Sequence, residues 1–441
     1  MTNKELHKEM IRIAIPVFIG NLGFLLFDII DIFWISSLGT DTVAGVASAG
    51  FLDWALGSFM GVTYVGCSSL ISQAVGAKNQ KMAFDVAREA IQLSLFIALF
   101  LMLLLFCVTP SLLLWMGLNP SAFQAGYNYF KVIILGLPIF YIFMLTGQIF
   151  YAHGDSKTAV GILSVALVLN AILDPFFIFG WGPFPKWGVS GASFATVLSF
   201  FLSLFLRFWF LRRKNYIDSL KTFFTFSTTY FYKILSIGIP TASARVIWSM
   251  VYPLLSTIIT RFGMEPLAGV TVAHRVEGFA YFAAGGFSTA VSTLVGQNTG
   301  RRDFEMVKRI AYEGRFLITA VIIPLSLMFL LIPEFLVRFG ANDPQVISFG
   351  ASYLRIIGIL ELFLGWEMIF EGAFNGIGKT RPYMLISIPL TLGRYPLAYF
   401  FVNMCGFGVS SIWWAISIST GLKGLLLSLR FNRLMSKEHE T

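Results

Sequence analysis

The sequence predicts an all-α polytopic membrane protein with twelve transmembrane helices, arranged as two six-helix bundles around a central cleft. Three observations predict this fold class. Hydrophobic residues make up 56% of the 441 residues and charged residues 12%, a composition that excludes a water-soluble globule. Apolar runs long enough to cross a bilayer recur along the whole chain. The two halves of the chain are also similar to each other in sequence.

The apolar runs define the predicted spans and leave no room for a separate soluble domain. In chain order, the spans are 10–37, 43–72, 86–110, 124–150, 158–180, 189–211, 231–260, 266–296, 309–331, 346–371, 381–403 and 407–430.

The distribution of positive charge predicts the orientation of these spans. Lys and Arg are concentrated in the loops on the side of the N-terminus, whereas the opposite loops carry only Lys186, Arg261 and Arg338. Because positively charged loops remain in the cytoplasm, we expect both termini to be cytoplasmic. The net charge of +9 mainly reflects this bias, so it predicts contact with membrane lipids rather than with nucleic acid. We expect a monomer in the cytoplasmic (inner) membrane of a prokaryote.

An internal repeat divides the chain. A shift of 224 residues aligns 11–90 with 235–314 without a gap. Since each half contains six spans, both halves enter the membrane in the same orientation, which predicts a pseudo-two-fold axis along the membrane normal. The predicted domains are an N-terminal lobe, 1–211, a cytoplasmic linker, 212–230, and a C-terminal lobe, 231–441. Identical pairs in the repeat include Pro16/Pro240, Gly39/Gly263, Gly45/Gly269, Gln73/Gln297 and Glu89/Glu313.

The fifth span carries polar residues that a lipid-facing helix would not tolerate. Asn170 and Asp174 are one helical turn apart and therefore share a face. Pro175 lacks a backbone N–H, so a carboxylate, an amide and a freed carbonyl group gather at one kink. The first span contains a second intramembrane acid, Asp31, in a helix that Pro16 is able to bend.

We expect Asp31 and Asp174 to face each other in a poorly hydrated chamber. Two such carboxylates cannot both stay ionised without a partner, so either one holds a proton or a cation bridges them. A hard cation such as Na⁺ prefers oxygen ligands, and Asn170 and the hydroxyl group of Thr196 would complete such a site. Helix packing beside small neighbours explains Thr196 equally well. Coupling to Na⁺ and coupling to H⁺ both remain open.

The second half does not repeat these acids and carries mixed charges inside its spans instead. We regard these residues and Asp28 of the first span as candidates for a substrate cavity. Structural ion pairs explain the charges of the second half equally well, and Asp28 could also lie at the membrane interface. The candidates are Asp28, Arg245, Arg275, Glu367, Glu371 and Arg394.

The sequence points to an ion gradient as the source of energy. The segment GAFNGIGKT at 372–380 is not a phosphate-binding loop, because Ala373 occupies a position that requires glycine. One charge that crosses about 100 mV supplies roughly 2.3 kcal/mol, which is adequate for export. Aromatic residues, at 16% of the chain, are compatible with a pocket for bulky amphipathic cations, although lipid-facing packing explains most of them as well.

In combination, several motifs resemble the MATE (multidrug and toxic compound extrusion) transporters of the MOP flippase superfamily. The motifs are DIFWISSLG from Asp31 to Gly39, QAVG and QNTG after spans two and eight, and NAILDP at 170–175. The resemblance covers essentially the full chain. It implies a transporter rather than an enzyme, without a cofactor, that exports amphipathic small molecules in exchange for Na⁺ or H⁺ by alternating access.

The resemblance also implies roles for individual residues. Asp31, Asn170 and Asp174 match the family's cation-coupling residues, and Tyr129 and Thr196 match further members of that network. Pro16 matches the proline at which the first span bends.

Two further interpretations follow from the resemblance. The seventh span has no acid and carries Arg245 instead, which favours a DinF-like over a NorM-like subgroup. The alternative function is a lipid-linked oligosaccharide flippase of the same superfamily, in which arginines of the second half would bind a pyrophosphate headgroup. Twelve spans rather than fourteen, and acids paired in the first half, favour the antiporter.

Overall fold

A computed structural model of the chain describes residues 2–218, 225 and 227–438, with the side chains of 51–56 and 438 left aside. Within these residues every regular element is a helix, and eleven helices are long and apolar enough to cross a membrane. The predicted span 43–72 lies in a further helix of 37 residues. The predicted all-α membrane fold is confirmed.

Helices of the first half begin and end where the sequence provides capping groups. The side chains of Asn79, Asn119 and Asp155 each accept a hydrogen bond from a backbone N–H in the first turn of the helix that follows. Gly180 ends the fifth helix in a left-handed conformation, with φ of 76°. The helices are α1 (Asn3–Ser36), α2 (Thr40–Gly76), α3 (Gln80–Trp115), α4 (Pro120–Ala152), α5 (Ser156–Phe179) and α6 (Val189–Arg213).

The second half repeats this pattern with two interruptions. A short helix, Pro333–Arg338, follows the helix Phe304–Leu331, and the predicted span 381–403 is divided at Gly393. Pro396 explains the division, because it lacks the N–H that would bond to the carbonyl group of Leu392. The helices are α7 (Phe231–Ile259), α8 (Met264–Gly300), α9 (Phe304–Leu331), α10 (Pro333–Arg338), α11 (Pro344–Ile377), α12 (Arg381–Leu392), α13 (Arg394–Asn403) and α14 (Ser410–Glu438), with a 3₁₀ turn at Thr260–Phe262.

The described residues form two compact units. The N-terminal unit is Ile19–Gly238, and the C-terminal unit consists of the described residues up to Phe18 and from Ile239 onward. This division differs from the predicted lobes 1–211 and 231–441, because the start of α1 packs in the C-terminal unit and the start of α7 packs in the N-terminal unit. Part of the predicted linker, at 219–224 and 226, lies outside the described residues.

Close backbone packing explains why the start of α1 belongs to the C-terminal unit and the start of α7 to the N-terminal unit. A methyl group added at Gly286 of α8 would lie 2.6 Å from the carbonyl oxygen of Ala14 in α1. One added at Gly238 of α7 would lie 1.8 Å from the carbonyl oxygen of Val62 in α2. Only glycine permits helices to approach this closely.

Acids at equivalent positions of the repeat hold the same two helix starts. Glu89 of α3 accepts hydrogen bonds from the hydroxyl group of Ser227 and the backbone N–H of Tyr230, each at 2.6 Å, directly before α7. Glu313 of α9 lies 2.6 Å from Nε2 of His7 in α1. The internal repeat is therefore visible in the contacts as well as in the sequence.

Each unit has its own hydrophobic core. In the N-terminal unit α4 packs against α2, α3 and α6, and the buried core includes Phe143, Phe150 and Phe200. In the C-terminal unit α11 packs against α8, α9 and α14 around Phe370 and Phe374.

Gly191 allows α6 to lie directly on the last turns of α5. A methyl group at this position would lie 2.2 Å from the carbonyl oxygen of Phe177. This contact fixes the spacing between the helices that carry Asn170 and Thr196.

We predict that Gly191→Ala lowers the thermal midpoint of the purified protein, because backbone atoms cannot move aside cheaply; overpacking of this kind costs about 1–3 kcal/mol. Gly161→Ala, on the same helix pair but with no atom within 4 Å of the added methyl group, is the control. It should be neutral or stabilising by up to about 1 kcal/mol. Equal midpoints for both variants in a thermal denaturation series would contradict this account of the packing.

Candidate functional site

The structure brings five residues predicted from the sequence together inside the N-terminal unit. They come from four helices: Asp31 from α1, Tyr129 from α4, Asn170 and Asp174 from α5, and Thr196 from α6. The amide nitrogen of Asn170 donates to Oδ1 of Asp174 at 3.0 Å and to Oγ1 of Thr196 at 3.1 Å. The hydroxyl group of Tyr129 donates to Oδ2 of Asp31 at a longer 3.4 Å. We call this group the acidic chamber.

The acidic chamber is almost closed to solvent. Asn170 and Asp174 have no exposed surface, Thr196 is 2% exposed and Asp31 is 5% exposed. The carboxyl groups of Asp31 and Asp174 lie within hydrogen-bonding reach of each other. Two ionised carboxylates have no proton to donate, so this contact is favourable only when a proton or a cation lies between them.

Helix geometry accounts for the arrangement around Asn170. Asn170 and Asp174 are four residues apart in α5 and therefore meet on one face. The hydroxyl group of Thr196 donates to the carbonyl oxygen of Ala192 at 3.1 Å, which leaves its oxygen free to accept from Asn170. Thr196 is thus both a packing residue of α6 and a member of the hydrogen-bond network.

Three buried oxygen atoms of the acidic chamber have no hydrogen-bond partner among the described residues: Oδ1 of Asp31, Oδ1 of Asn170 and Oδ2 of Asp174. Buried oxygens of this kind are costly unless a donor or a cation satisfies them. Carboxylate and amide oxygens are ligands that hard cations prefer. The described residues contain no group of three or more His, Cys, Asp or Glu that could hold a metal. The oxygens of the chamber that lack partners in the described part of the chain could accept from a proton donor or bind a hard cation.

Two predicted residues of α1 form none of the hydrogen bonds described above for the chamber. Asp28 is exposed, three residues before the buried Asp31. Pro16 lies inside α1, which runs without interruption from Asn3 to Ser36. The border between the two units falls between Phe18 and Ile19, within one helical turn of Pro16.

The structure places most of the predicted charges of the second half in hydrogen bonds or ion pairs. Arg245 lies 2.8 Å from Glu371, and Glu367 lies 2.7 Å from Lys423. Arg394 is buried and donates to the hydroxyl groups of Ser419 and Thr420 at 2.7 and 2.9 Å, whereas Arg275 is exposed.

Two parts of this charged region lie outside the candidate residues predicted from the sequence. Lys423 is buried in α14. A single lysine inside an apolar span is the sequence feature that could have indicated a buried charge at this position. Glu277 of α8 accepts a hydrogen bond from the hydroxyl group of Tyr353 at 2.8 Å and lies 2.8 Å from Nδ1 of His274. His274 and Glu277 are three residues apart and share a helix face, whereas the contact with Tyr353 joins two helices that are distant in sequence.

Comparison with known proteins identifies the family. Two stretches of the chain, 16–176 and 240–400, match the family MatE, and their starts differ by the same 224 residues as the internal repeat. The chain belongs to the MatE family. Members of this family of MATE transporters move small molecules across membranes and are not enzymes.

Relatives of this MATE protein extend over most of its length. A probable multidrug resistance protein NorM from Thermotoga maritima is 28% identical over 93% of this chain and 88% of its own. An FAD transporter from Shewanella oneidensis is 24% identical over 97% of this chain and 92% of its own. Among solved structures, a MOP superfamily transporter from Pyrococcus furiosus is 25% identical, with a TM-score of 0.89 over 99% of this chain and 97% of its own. That protein is described as having a binding pocket of reversed polarity, which suggests a different function.

We predict that Glu367→Met and Lys423→Met each destabilise this MATE protein, because each leaves one buried charge without its partner. Breaking a buried pair costs about 3–5 kcal/mol, whereas replacing both charges by apolar side chains of similar volume is often close to neutral. The double variant should therefore melt closer to the wild type than either single variant. Additive losses in a double-mutant cycle of thermal midpoints would rule out a coupled ion pair.

Proposed function

We propose that this MATE transporter is a secondary active multidrug efflux antiporter that exports amphipathic, often cationic, organic compounds in exchange for Na⁺ or H⁺. The observation that carries the proposal is the contact between the buried carboxyl groups of Asp31 and Asp174. The relation to a probable multidrug resistance protein supports the substrate class. We also propose that the chain lies in a prokaryotic cytoplasmic membrane with both termini inside.

The charge state of the acidic chamber provides a mechanism for coupling. When a proton or Na⁺ occupies the chamber, the two carboxyl groups can remain together at low energetic cost. When the cation leaves, the charges repel each other in a poorly hydrated space and favour a different arrangement of α1 relative to α5. A substrate that binds only one of these arrangements then exchanges with the cation, as alternating access requires.

The position of Pro16 supports a role for α1 in this change. A proline inside a helix removes one backbone hydrogen bond and lowers the cost of bending. Because Asp31 lies four turns beyond Pro16 on the same helix, bending there would move the carboxyl group towards or away from Asp174.

Na⁺ and H⁺ differ in the number of protein ligands that each needs. The three oxygens without partners, together with Oγ1 of Thr196, would offer Na⁺ four ligands from the protein. A proton needs only one of the two carboxyl groups. The oxygens of the chamber could serve either ion, and transport driven by each gradient alone distinguishes the two.

The flippase alternative requires arginines that are available to a pyrophosphate group. Arg275 is exposed, and Arg245 pairs with Glu371 at 2.8 Å but leaves 52% of its side chain exposed. What favours the antiporter is the pair of buried acids in the N-terminal unit. Exchange of a small molecule for a cation at the acidic chamber needs no such arginine.

We predict that Asp31→Asn and Asp174→Asn each abolish gradient-driven drug efflux while the protein still folds, because a neutral amide can neither hold a proton nor neutralise Na⁺. Transport would be measured in proteoliposomes with a Na⁺ gradient or a pH gradient imposed alone. The wild type should respond to one of these gradients, which identifies the coupling ion. Asp41→Asn removes an exposed acid of α2 and serves as the control.

The site assignment does not survive if both chamber variants retain full transport under the gradient that drives the wild type. A wild type that moves no amphipathic compound under either gradient contradicts the antiporter itself.

A further inference from the structure

A buried polar stripe continues from the acidic chamber along α6. Thr196, Ser199, Ser203 and Arg207 are spaced by three, four and four residues, so they lie on one face of the helix. All four are buried, with 2%, 0%, 0% and 2% of their surface exposed. From Thr196 to Arg207 the stripe extends about 16 Å along the helix axis. A bundle core of this kind would normally be apolar.

Arg207 ends the stripe and carries a charge that no described acid balances. Its guanidinium carbon lies 4.1 Å from the ring centre of Phe143 and 6.0 Å from that of Phe150, both on α4. Among the described residues no carboxylate forms an ion pair with it, and its Nε and Nη1 atoms have no hydrogen-bond partner. Gly147 makes room for the group, since a methyl group there would lie 2.8 Å from Nη1.

Unsatisfied polar atoms occur at both ends of the stripe. The hydroxyl oxygen of Ser203, one turn from Arg207, has no partner among the described residues, and the same holds for the three oxygens of the acidic chamber. Buried polar atoms of this type are usually satisfied by water when the space is polar. A file of water along α6 would satisfy both groups of atoms at once.

We propose that this stripe is a hydrated route between the acidic chamber and the far end of α6, and that Arg207 closes the route to cations. The inference deepens the proposed function, because it assumes that the coupling cation binds in the chamber. A guanidinium group is always protonated, so its positive charge repels Na⁺ and protonated water, and the low dielectric of the bundle strengthens the repulsion.

The barrier has a direct consequence for transport. A cation that reached the far end of α6 through the bundle would dissipate the gradient without moving any substrate. With Arg207 in place, the cation bound between Asp31 and Asp174 leaves only through the change of conformation that also moves substrate. Arg207 is thus a residue that maintains coupling without touching the substrate.

The test measures cation leak in proteoliposomes that contain no substrate. We expect Arg207→Gln to raise the flux of Na⁺ or H⁺ down an imposed gradient by about tenfold or more over the wild type. Arg207→Lys keeps the positive charge, so its cation flux should equal that of the wild type. Arg213→Gln is the matched control, because Arg213 is an arginine of the same helix that also lies over an aromatic ring, 5.2 Å from the ring of Trp209, but is exposed.

Two further variants keep the test decisive if Arg207→Gln fails to fold. Gly147→Ala retains the charge but displaces the guanidinium group from its place over Phe143, so a smaller leak is expected. Adding Asp174→Asn to either leaking variant should reduce the leak, because the route begins at the chamber. The proposal is overturned if Arg207→Gln and Gly147→Ala both show the cation flux of the wild type. It is also overturned if Asp174→Asn leaves the leak unchanged.

The leak measurement is independent of drug export. A wild type that exports no compound would contradict the proposed function, while the comparison of Arg207→Gln with Arg213→Gln would still decide whether Arg207 is a barrier. Reduced drug export by Arg207→Gln in membranes that remain tight would instead indicate a purely structural role and overturn the barrier.

Discussion

The contact between two buried carboxyl groups, Asp31 and Asp174, is the constraint on which the rest of the N-terminal unit depends. Such a contact is unfavourable unless a proton or a cation is present. The surroundings are arranged to meet that requirement. Asn170 orients one carboxylate and is itself held by Thr196, and the close approach of α5 and α6 at Gly191 keeps these side chains within hydrogen-bonding distance.

The internal repeat supplies the scaffold, and its two copies have diverged in chemistry. Glu89 and Glu313 occupy equivalent positions and make equivalent contacts with the helix starts Ser227–Tyr230 and His7. In contrast, the C-terminal unit has no counterpart of the acidic chamber at the equivalent residues and contains the pair Glu367–Lys423 instead. Under the proposed function, cation coupling belongs to the N-terminal unit, whereas Glu367–Lys423 and Arg245–Glu371 are ion pairs inside the C-terminal unit.

Much of the fold and of the site could be predicted from the sequence, for identifiable physical reasons. Hydropathy defines the spans because the bilayer demands long apolar helices, and Asp31 and Asp174 stand out as acids inside apolar spans. The pairing of Asn170 with Asp174 follows from helical periodicity alone. Three features could not be predicted, because each depends on contacts between helices that are distant in sequence. They are the packing of the starts of α1 and α7 in the opposite units, the pair Glu367–Lys423 and the surroundings of Arg207.

The most direct test of the account is to count the cations released when a transported compound binds to the purified protein in weakly buffered, Na⁺-controlled detergent solution. If the two carboxyl groups share a cation that the substrate displaces, binding should release protons or Na⁺ from the wild type and none from Asp174→Asn. Release that is unchanged in Asp174→Asn, or binding without any release from the wild type, would contradict the claim that the acidic chamber couples cation and substrate.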